Sequence, residues 1–169
     1  MIIDNQTSLY TSEEINLIKS HWNDETSEKR IFEDRSYTFN VLYDLPQEYT
    51  NRFLDWIEDN VGKKLLNREY HLILHKFKEG DYFDWHEDNA YMERGKREYA
   101  VGFHLNNDYK GGEFVVIEDE KEKIIGKVAG APYLFTSDVT HKINRVESGI
   151  RWSIILFVYD TSFKAKSVI

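Results

Sequence analysis

The sequence predicts a mainly β domain preceded by two helices, on three observations. From residue 68 onward short apolar runs recur, among them "EYHLILHKF", "YFDWHED", "EYAVGFHLN", "GEFVVIE", "KIIGKVA", "PYLFT", "THKINRV" and "RWSIILFVY", separated by Gly, Asn, Asp or charged turns. That is the pattern of an all-β sandwich or barrel. Aromatic residues make up 15% of the chain, with 11 Tyr, 10 Phe and 4 Trp, which suits the half-buried pleated surface of strands. Before residue 68 the apolar spacing is helical instead.

The elements follow in order. Thr11 and Glu14 form a capping box, and Ile15, Leu17, Ile18 and Trp22 make an apolar stripe, so a helix is expected over about 12–22. Residues 23–36, "NDETSEKRIFEDRS", are highly charged and read as loop, while "YTFNVLYDL" (37–45) reads as a strand or extended segment. Pro46 opens a second helix in its first turn, where a missing N–H costs nothing. Tyr49, Phe53, Trp56, Ile57 and Val61 carry its apolar face, and Gly62 ends it. Asn106-Asn107-Asp108 and Lys110-Gly111-Gly112 are turn chemistry, and "NAYMERGKRE" (89–98) reads as a charged loop. The 169 residues suffice for one domain with a real core: helical support over about 1–65 and a β core over about 66–160.

Composition excludes several functions. A net charge of -8 repels phosphate backbones and disfavours nucleic acid as a partner; the short basic runs "GKKLLNR" and "FKAKSVI" read as solvated faces. With no cysteine, disulfides, zinc ribbons and thiol catalysis are ruled out. The N-terminus lacks the basic and apolar regions of a signal peptide, and no stretch approaches the 18 or so apolar residues of a membrane span. The expectation is a soluble, cytoplasmic protein.

The chemistry centres on "DYFDWHEDNAYM" (81–92). On a strand, His86 and Asp88 at i and i+2 point to one face. Two His and one carboxylate suit Fe(II) and leave coordination positions open; His-x-Asp alone is weak evidence, so a third ligand is the test. His141 opens "THKINRV", and Arg151 follows ten residues later. If "ESG" (147–149) turns a hairpin, His141 and Arg151 lie on adjacent strands facing one cavity, and an Arg there is a rigid fork for a carboxylate. The bland alternative is an Arg in a surface pair. His71, Ile73, His75 and Phe77 alternate along one strand and share a face, which makes His75 either a hydrogen-bonded core histidine or a support or substrate contact. Trp85 should turn away from the cavity and Phe83 toward it. Asn89 is a plain turn residue or an orienter of Asp88. Tyr91, Met92 and Arg94 are candidate substrate contacts on the 89–98 loop, because loops carry binding function. Arg145 reads as a surface residue.

These residues resemble the Fe(II)/2-oxoglutarate-dependent dioxygenases, in particular the prolyl 4-hydroxylase-like branch. The branch pattern aromatic-x2-Gly-x2-aromatic-x2-His-x-Asp is matched by Phe77, Gly80, Phe83, His86 and Asp88, and "YKGGEFVV" and "HKINRVESGIRWSIILF" follow in the same order. The resemblance covers roughly residues 68–159. It implies a double-stranded β-helix, or jelly roll, with iron held by His86, Asp88 and His141. 2-Oxoglutarate would chelate the metal through its 1-carboxylate and 2-keto oxygens, with Arg151 pairing the 5-carboxylate. His104 stands where the branch commonly has a Tyr near that carboxylate, and Phe77 where the first motif aromatic is commonly Tyr. The implied activity is O2-dependent hydroxylation of a C–H bond, with a prolyl residue in a peptide or protein as the branch's model substrate and succinate and carbon dioxide as co-products. Asp88 separates this pattern from halogenases, which lack the carboxylate. Neighbours in the superfamily act on other protein side chains, free amino acids or nucleic acids; for this acidic chain the expected substrate is a peptide, protein or small molecule. The alternatives are a non-catalytic jelly-roll binding module with a structural metal or carbohydrate-type ligand, and a cupin-like metalloenzyme without 2-oxoglutarate.

Overall fold

Strands buried on both faces read as near-continuous apolar runs, and the two longest such runs of this chain lie side by side at its centre. The structure, a computed structural model, describes residues 1–65, 70–89, 91–92 and 95–160, with only the backbone of Tyr91, Met92 and Asp160. In chain order the elements are β1 (Ile2–Asp4), α1 (Ser12–Lys19), β2 (Glu28–Phe32), β3 (Arg35–Val41), α2 (Gln47–Val61), β4 (Tyr70–Phe77), β5 (Tyr82–His86), β6 (Tyr91–Met92), β7 (Gly95–His104), β8 (Lys110–Gly111), β9 (Phe114–Glu118), β10 (Lys121–Ile124), β11 (Pro132–Thr136), β12 (His141–Ile143), β13 (Val146–Ser148) and β14 (Arg151–Asp160). One antiparallel sheet of twelve strands runs β1-β11-β7-β14-β4-β3-β5-β12-β9-β10, with β2 on β3 and β6 on β7; β13 and β8 form a separate pair. The fold is the jelly roll expected, and β1–β3 bring the first 65 residues into the same sheet.

Side-chain alternation splits the core in two. Leu72, Leu74, Val101, Phe103, Trp152, Ile154 and Leu156 face outward and pack on Ile15 and Ile18 of α1 and Phe53, Leu54 and Ile57 of α2. Ile73, Phe77, Ala100, Ile155 and Phe157 face inward, toward Phe114, Val116, Phe135 and Ile143 of the opposite wall. The inward face holds the site; the helices seal the other.

The helix signals mark real ends. Thr11 Oγ1 accepts from the Glu14 N–H (3.2 Å), and Glu14 Oε1 accepts from the Thr11 N–H (2.9 Å). α1 stops at Lys19, earlier than expected; Ser20 and His21 continue as turn, the Trp22 N–H donates to the Lys19 carbonyl, and His21 Nδ1 lies 2.9 Å from the Leu17 carbonyl. Pro46 sits one position outside α2, and Gly62 ends it with a left-handed φ of 72°.

Three expectations are corrected. Residues 23–36 are not all loop: β2 and the start of β3 form a hairpin, with Glu28 opposite Phe39 and Phe32 opposite Arg35. All five β2 residues are exposed, and an edge strand wet on both faces shows no apolar alternation to read. Residues 89–98 are not one loop either, since β6 pairs with β7, which begins at Gly95. His141 and Arg151 are not on one hairpin: β12 lies between β5 and β9, residues 146–148 pair with β8, and β14 lies between β4 and β7. Their proximity comes from two walls facing each other, which no local spacing encodes. Among the described residues no helix is long and apolar enough to cross a membrane.

Candidate metal and co-substrate site

β5 delivers Phe83 and His86 to the cavity. Asp88 lies two residues past the strand end, its backbone N–H donating to the Ser137 carbonyl (3.1 Å). From β12, His141 stands directly opposite His86 in the ladder. One ligand atom from each of His86, Asp88 and His141 can be chosen so that all lie within 4.8 Å of one another. His86 Nε2 is 3.7 Å from Asp88 Oδ1, and His141 Nε2 is 3.3 Å from Asp88 Oδ2.

Both rings are pinned from behind. His86 Nδ1 meets the Asp84 carbonyl at 2.7 Å, and His141 Nδ1 meets the Val139 carbonyl at 2.9 Å. Placing the proton on Nδ1 leaves each Nε2 lone pair for a metal, the arrangement that orients metal-binding histidines. Phe83 stacks on His86 with centroids 3.6 Å apart, and Phe135 packs on His141 at 4.5 Å. Burial first, then the charge of His141, pushes the His86 pKa down to about 4, so the ring is a neutral ligand at pH 7. Burial would raise the Asp88 pKa, but the His141 hydrogen bond and the charges of His141, His86 and Arg97 outweigh it and hold the carboxyl below its usual value. Two imidazoles and one carboxylate are the donor set that Fe(II) fits.

Arg151 opens β14 and is 0% exposed. Its Nε donates to the Gly112 carbonyl (3.0 Å) and its Nη1 to Ser153 Oγ (2.8 Å), while Nη2 has no partner. Gly112, with φ of 62°, carries the chain close over the guanidinium stem; a Cβ there would sit 3.2 Å from Arg151 Cδ. The "GGE" segment is thus the lid of the arginine's slot. No described carboxylate pairs with this cation, and a buried charge without a counter-ion costs several kcal/mol. The slot asks for an anion.

His86, Asp88, His141 and Arg151 line one cavity of ≈ 370 Å³, along with His75, Tyr37, Arg97 and Tyr133. Burial, and secondarily the Arg151 charge, pushes the His75 pKa down to about 3. Phe77 is fully buried behind the lining, stacked on Tyr37 (5.1 Å, 9°) with the Arg151 guanidinium 5.4 Å from its ring. His104 is also 0% exposed and off the lining, its Nδ1 3.5 Å from Tyr109 Oη. Asn89 is exposed and donates to Glu87 Oε2 (2.9 Å). Trp85 turns away to meet Lys142 (4.4 Å), and Arg145 is exposed, donating to the Gly80 carbonyl (2.6 Å). Arg94 and the side chains of Tyr91 and Met92 lie outside the described residues.

No local pattern in the sequence marks Tyr37, Arg97 or Tyr133 as cavity residues. Arg97 shares parity with Tyr99, which packs outward, yet Arg97 lines the cavity. A register shift in the β7–β14 ladder, where Tyr99 pairs with Val158 but Arg97 with Tyr159, inserts a bulge that flips the face. Tyr133 reads as one more core aromatic.

The sequence model of the 2OG-Fe(II) oxygenase superfamily matches residues 72–159, just over half of the chain and the span that holds His86, Asp88, His141 and Arg151. The chain belongs to this superfamily. It is an oxygenase, and its cofactors are Fe(II), 2-oxoglutarate and O2. No curated protein matches it by sequence. Among solved structures, a Pseudomonas putida prolyl-4-hydroxylase superposes with TM-score 0.70 at 15% identity, covering 94% of this chain and 91% of its own. A Trichoplax adhaerens prolyl hydroxylase, solved with a hypoxia inducible factor peptide fragment, gives TM-score 0.69 at 18% identity over 99% and 86%. The α-ketoglutarate-dependent epimerase SnoN of nogalamycin biosynthesis gives 0.68 at 10% over 94% and 77%. At these identities the oxygenase shares their fold, and that fold carries more than one reaction.

Proposed function

We propose that this oxygenase hydroxylates a C–H bond of a peptide or protein substrate, with a prolyl residue as the leading target, and releases succinate and carbon dioxide. The observation that supports it best is the unpaired, fully buried Arg151 in the same cavity as His86, Asp88 and His141. In this reading the two imidazoles and Asp88 hold Fe(II) on one face, and Arg151 pairs the distal carboxylate of 2-oxoglutarate. When bound, Fe(II), 2-oxoglutarate and O2 together supply the oxidising power; the protein positions the partners and excludes water. Phe77, Phe83, Phe114 and Phe135 keep the surroundings apolar, and His75, neutral at pH 7, can share a hydrogen bond without adding charge. His104 stands behind the Arg151 end as a support for the co-substrate pocket.

Two features favour an extended peptide. Among the described residues β2 pairs with β3 alone and all its residues are exposed, and its Arg30 reaches the cavity lining, so a peptide can pair along its other edge as an added strand. Arg97 offers a buried Nε without a partner on the lining, a donor for a backbone carbonyl. A binding module with a structural metal is less well supported, because such a metal needs no buried cation beside it.

The test is anaerobic titration of the purified protein with Fe(II) and 2-oxoglutarate, followed by air exposure with proline-containing peptides. A visible charge-transfer band, succinate by NMR and a 16 Da gain on the peptide are expected. His86→Ala should lose all three. An unaltered metal signal in His86→Ala would sink the assignment, and succinate formation without any modified prolyl peptide would exclude the prolyl target.

A further inference from the structure

We propose that Tyr133, rather than His104, is the second anchor for the distal carboxylate of 2-oxoglutarate, acting beside Arg151. This rests on the reading that Arg151 meets that carboxylate. Tyr133 lies in the middle of β11, opposite Gly102 of β7. Its ring packs between Phe114 (centroids 4.8 Å) and His104 (5.6 Å), and it reaches the cavity lining. Gly102 makes room for it: a Cβ at that position would fall 2.6 Å from Tyr133 Oη and 2.8 Å from Cζ, closer than real Cβ atoms come. The same point is 2.8 Å from the Ile154 carbonyl of β14. The phenol therefore lies across β7 toward the strand that carries Arg151 and Ser153.

The chemistry of the two groups matches. Burial, moderated by the nearby Arg151 charge, pushes the Tyr133 pKa up to about 12, so the phenol keeps its proton. No described acceptor takes that proton, and Arg151 offers only donors. A phenol O–H and the unpartnered Arg151 Nη2 at one end of a cavity are two donors awaiting one anion, and a carboxylate has two oxygens to accept from them. His104 is different. It is fully buried and absent from the lining, with Nδ1 3.5 Å from Tyr109 Oη and Nε2 without a partner, while burial first and the Arg151 charge second hold its pKa well below the usual value. A ring that does not reach the lining sits behind Tyr133, with centroids 5.6 Å apart, and in this assignment it packs against the phenol instead of meeting the carboxylate.

The experiment compares two 2-keto acids on the Fe(II)-loaded protein without O2: 2-oxoglutarate and 2-oxobutanoate, which keeps the chelating head and lacks the distal carboxylate. Binding is read from the charge-transfer band. Tyr133→Phe removes one oxygen and keeps the ring. It should weaken 2-oxoglutarate about tenfold, the worth of one hydrogen bond to a charged group, and leave 2-oxobutanoate unchanged, which also reports that the variant is folded. His104→Gln should move both ligands by similar, smaller factors. Equal losses for both ligands in Tyr133→Phe, no loss for either, or a selective loss in His104→Gln alone would overturn the assignment. A wild-type protein that binds the two acids equally, or neither, would instead remove the Arg151 reading on which it stands.

Discussion

A guanidinium buried without an anion beside it is expensive, and Arg151 carries that cost at 0% exposure. The cost makes a paired prediction. Arg151→Met keeps most of the volume, so the ligand-free protein should be as stable as wild type or more so, the gain offset by the donors lost to the Gly112 carbonyl and Ser153 Oγ. The same change should weaken 2-oxoglutarate by about a hundredfold or more, the usual loss on removing one side of a buried charge pair. Thermal melts with and without the keto acid check both halves: wild type should gain stability from the ligand, and the variant should not. Gly112 is the other sensitive position. Gly112→Ala forces a left-handed residue to carry a Cβ and sets it 3.1 Å from Val146 Cγ2 as well as against Arg151. A loss of about 1–2 kcal/mol in denaturant melts is expected, along with weaker 2-oxoglutarate binding. The candidate set His86, Asp88, His141 and Arg151 was legible in the sequence because it is a matter of residue type and order. Tyr133 was not, because nothing local separates a phenol that lines a cavity from one that fills a core.

The two helices are joined at the capping box that starts α1. Glu14 closes the box with Thr11 and also takes Arg52 of α2 at 2.9 Å, whose guanidinium lies over Tyr10 and Tyr49. The Arg52 hydrogen bond, and next the Thr11 backbone bond, pull the Glu14 pKa from 4.5 down to about 2. A carboxylate with a depressed folded pKa adds stability above its unfolded pKa and loses it as pH falls through the folded value. Glu14→Gln should therefore lower the melting temperature at pH 7, with the gap to wild type narrowing between pH 4.5 and 2 and shrinking in high salt, as expected for a solvent-screened pair. Capping chemistry and helical spacing are written in consecutive residues, so both helices were legible to within a few positions. β2 was not: an edge strand exposed on both faces has a loop's composition.

At the scale of the whole molecule, the sheet separates a stabilising face from a working face. Phe53 of α2 is buried in the outer cluster, with a sheet between it and the site. Phe53→Ala should cost about 3–5 kcal/mol, seen as a lower denaturant midpoint, while Fe(II) and 2-oxoglutarate affinity in the folded fraction stay at wild-type values; a parallel loss of affinity would show the two faces to be coupled. The sequence by itself determined the class of fold, the two helices and the order of the candidate residues His86, Asp88, His141 and Arg151, because periodicity, caps and motif order are properties of neighbouring residues. The tertiary structure decided which walls face each other. His141 meets His86 across a ladder, while Arg151 enters from a strand between β4 and β7, and the ten-residue spacing that looks like a hairpin spans both walls. Arg97 and Tyr133 join the site by the same kind of non-local pairing, one through a bulge that inverts its face and the other through the space left by Gly102. Register between distant strands is set by the packing of the closed sheet, and that packing exists only once the chain has folded.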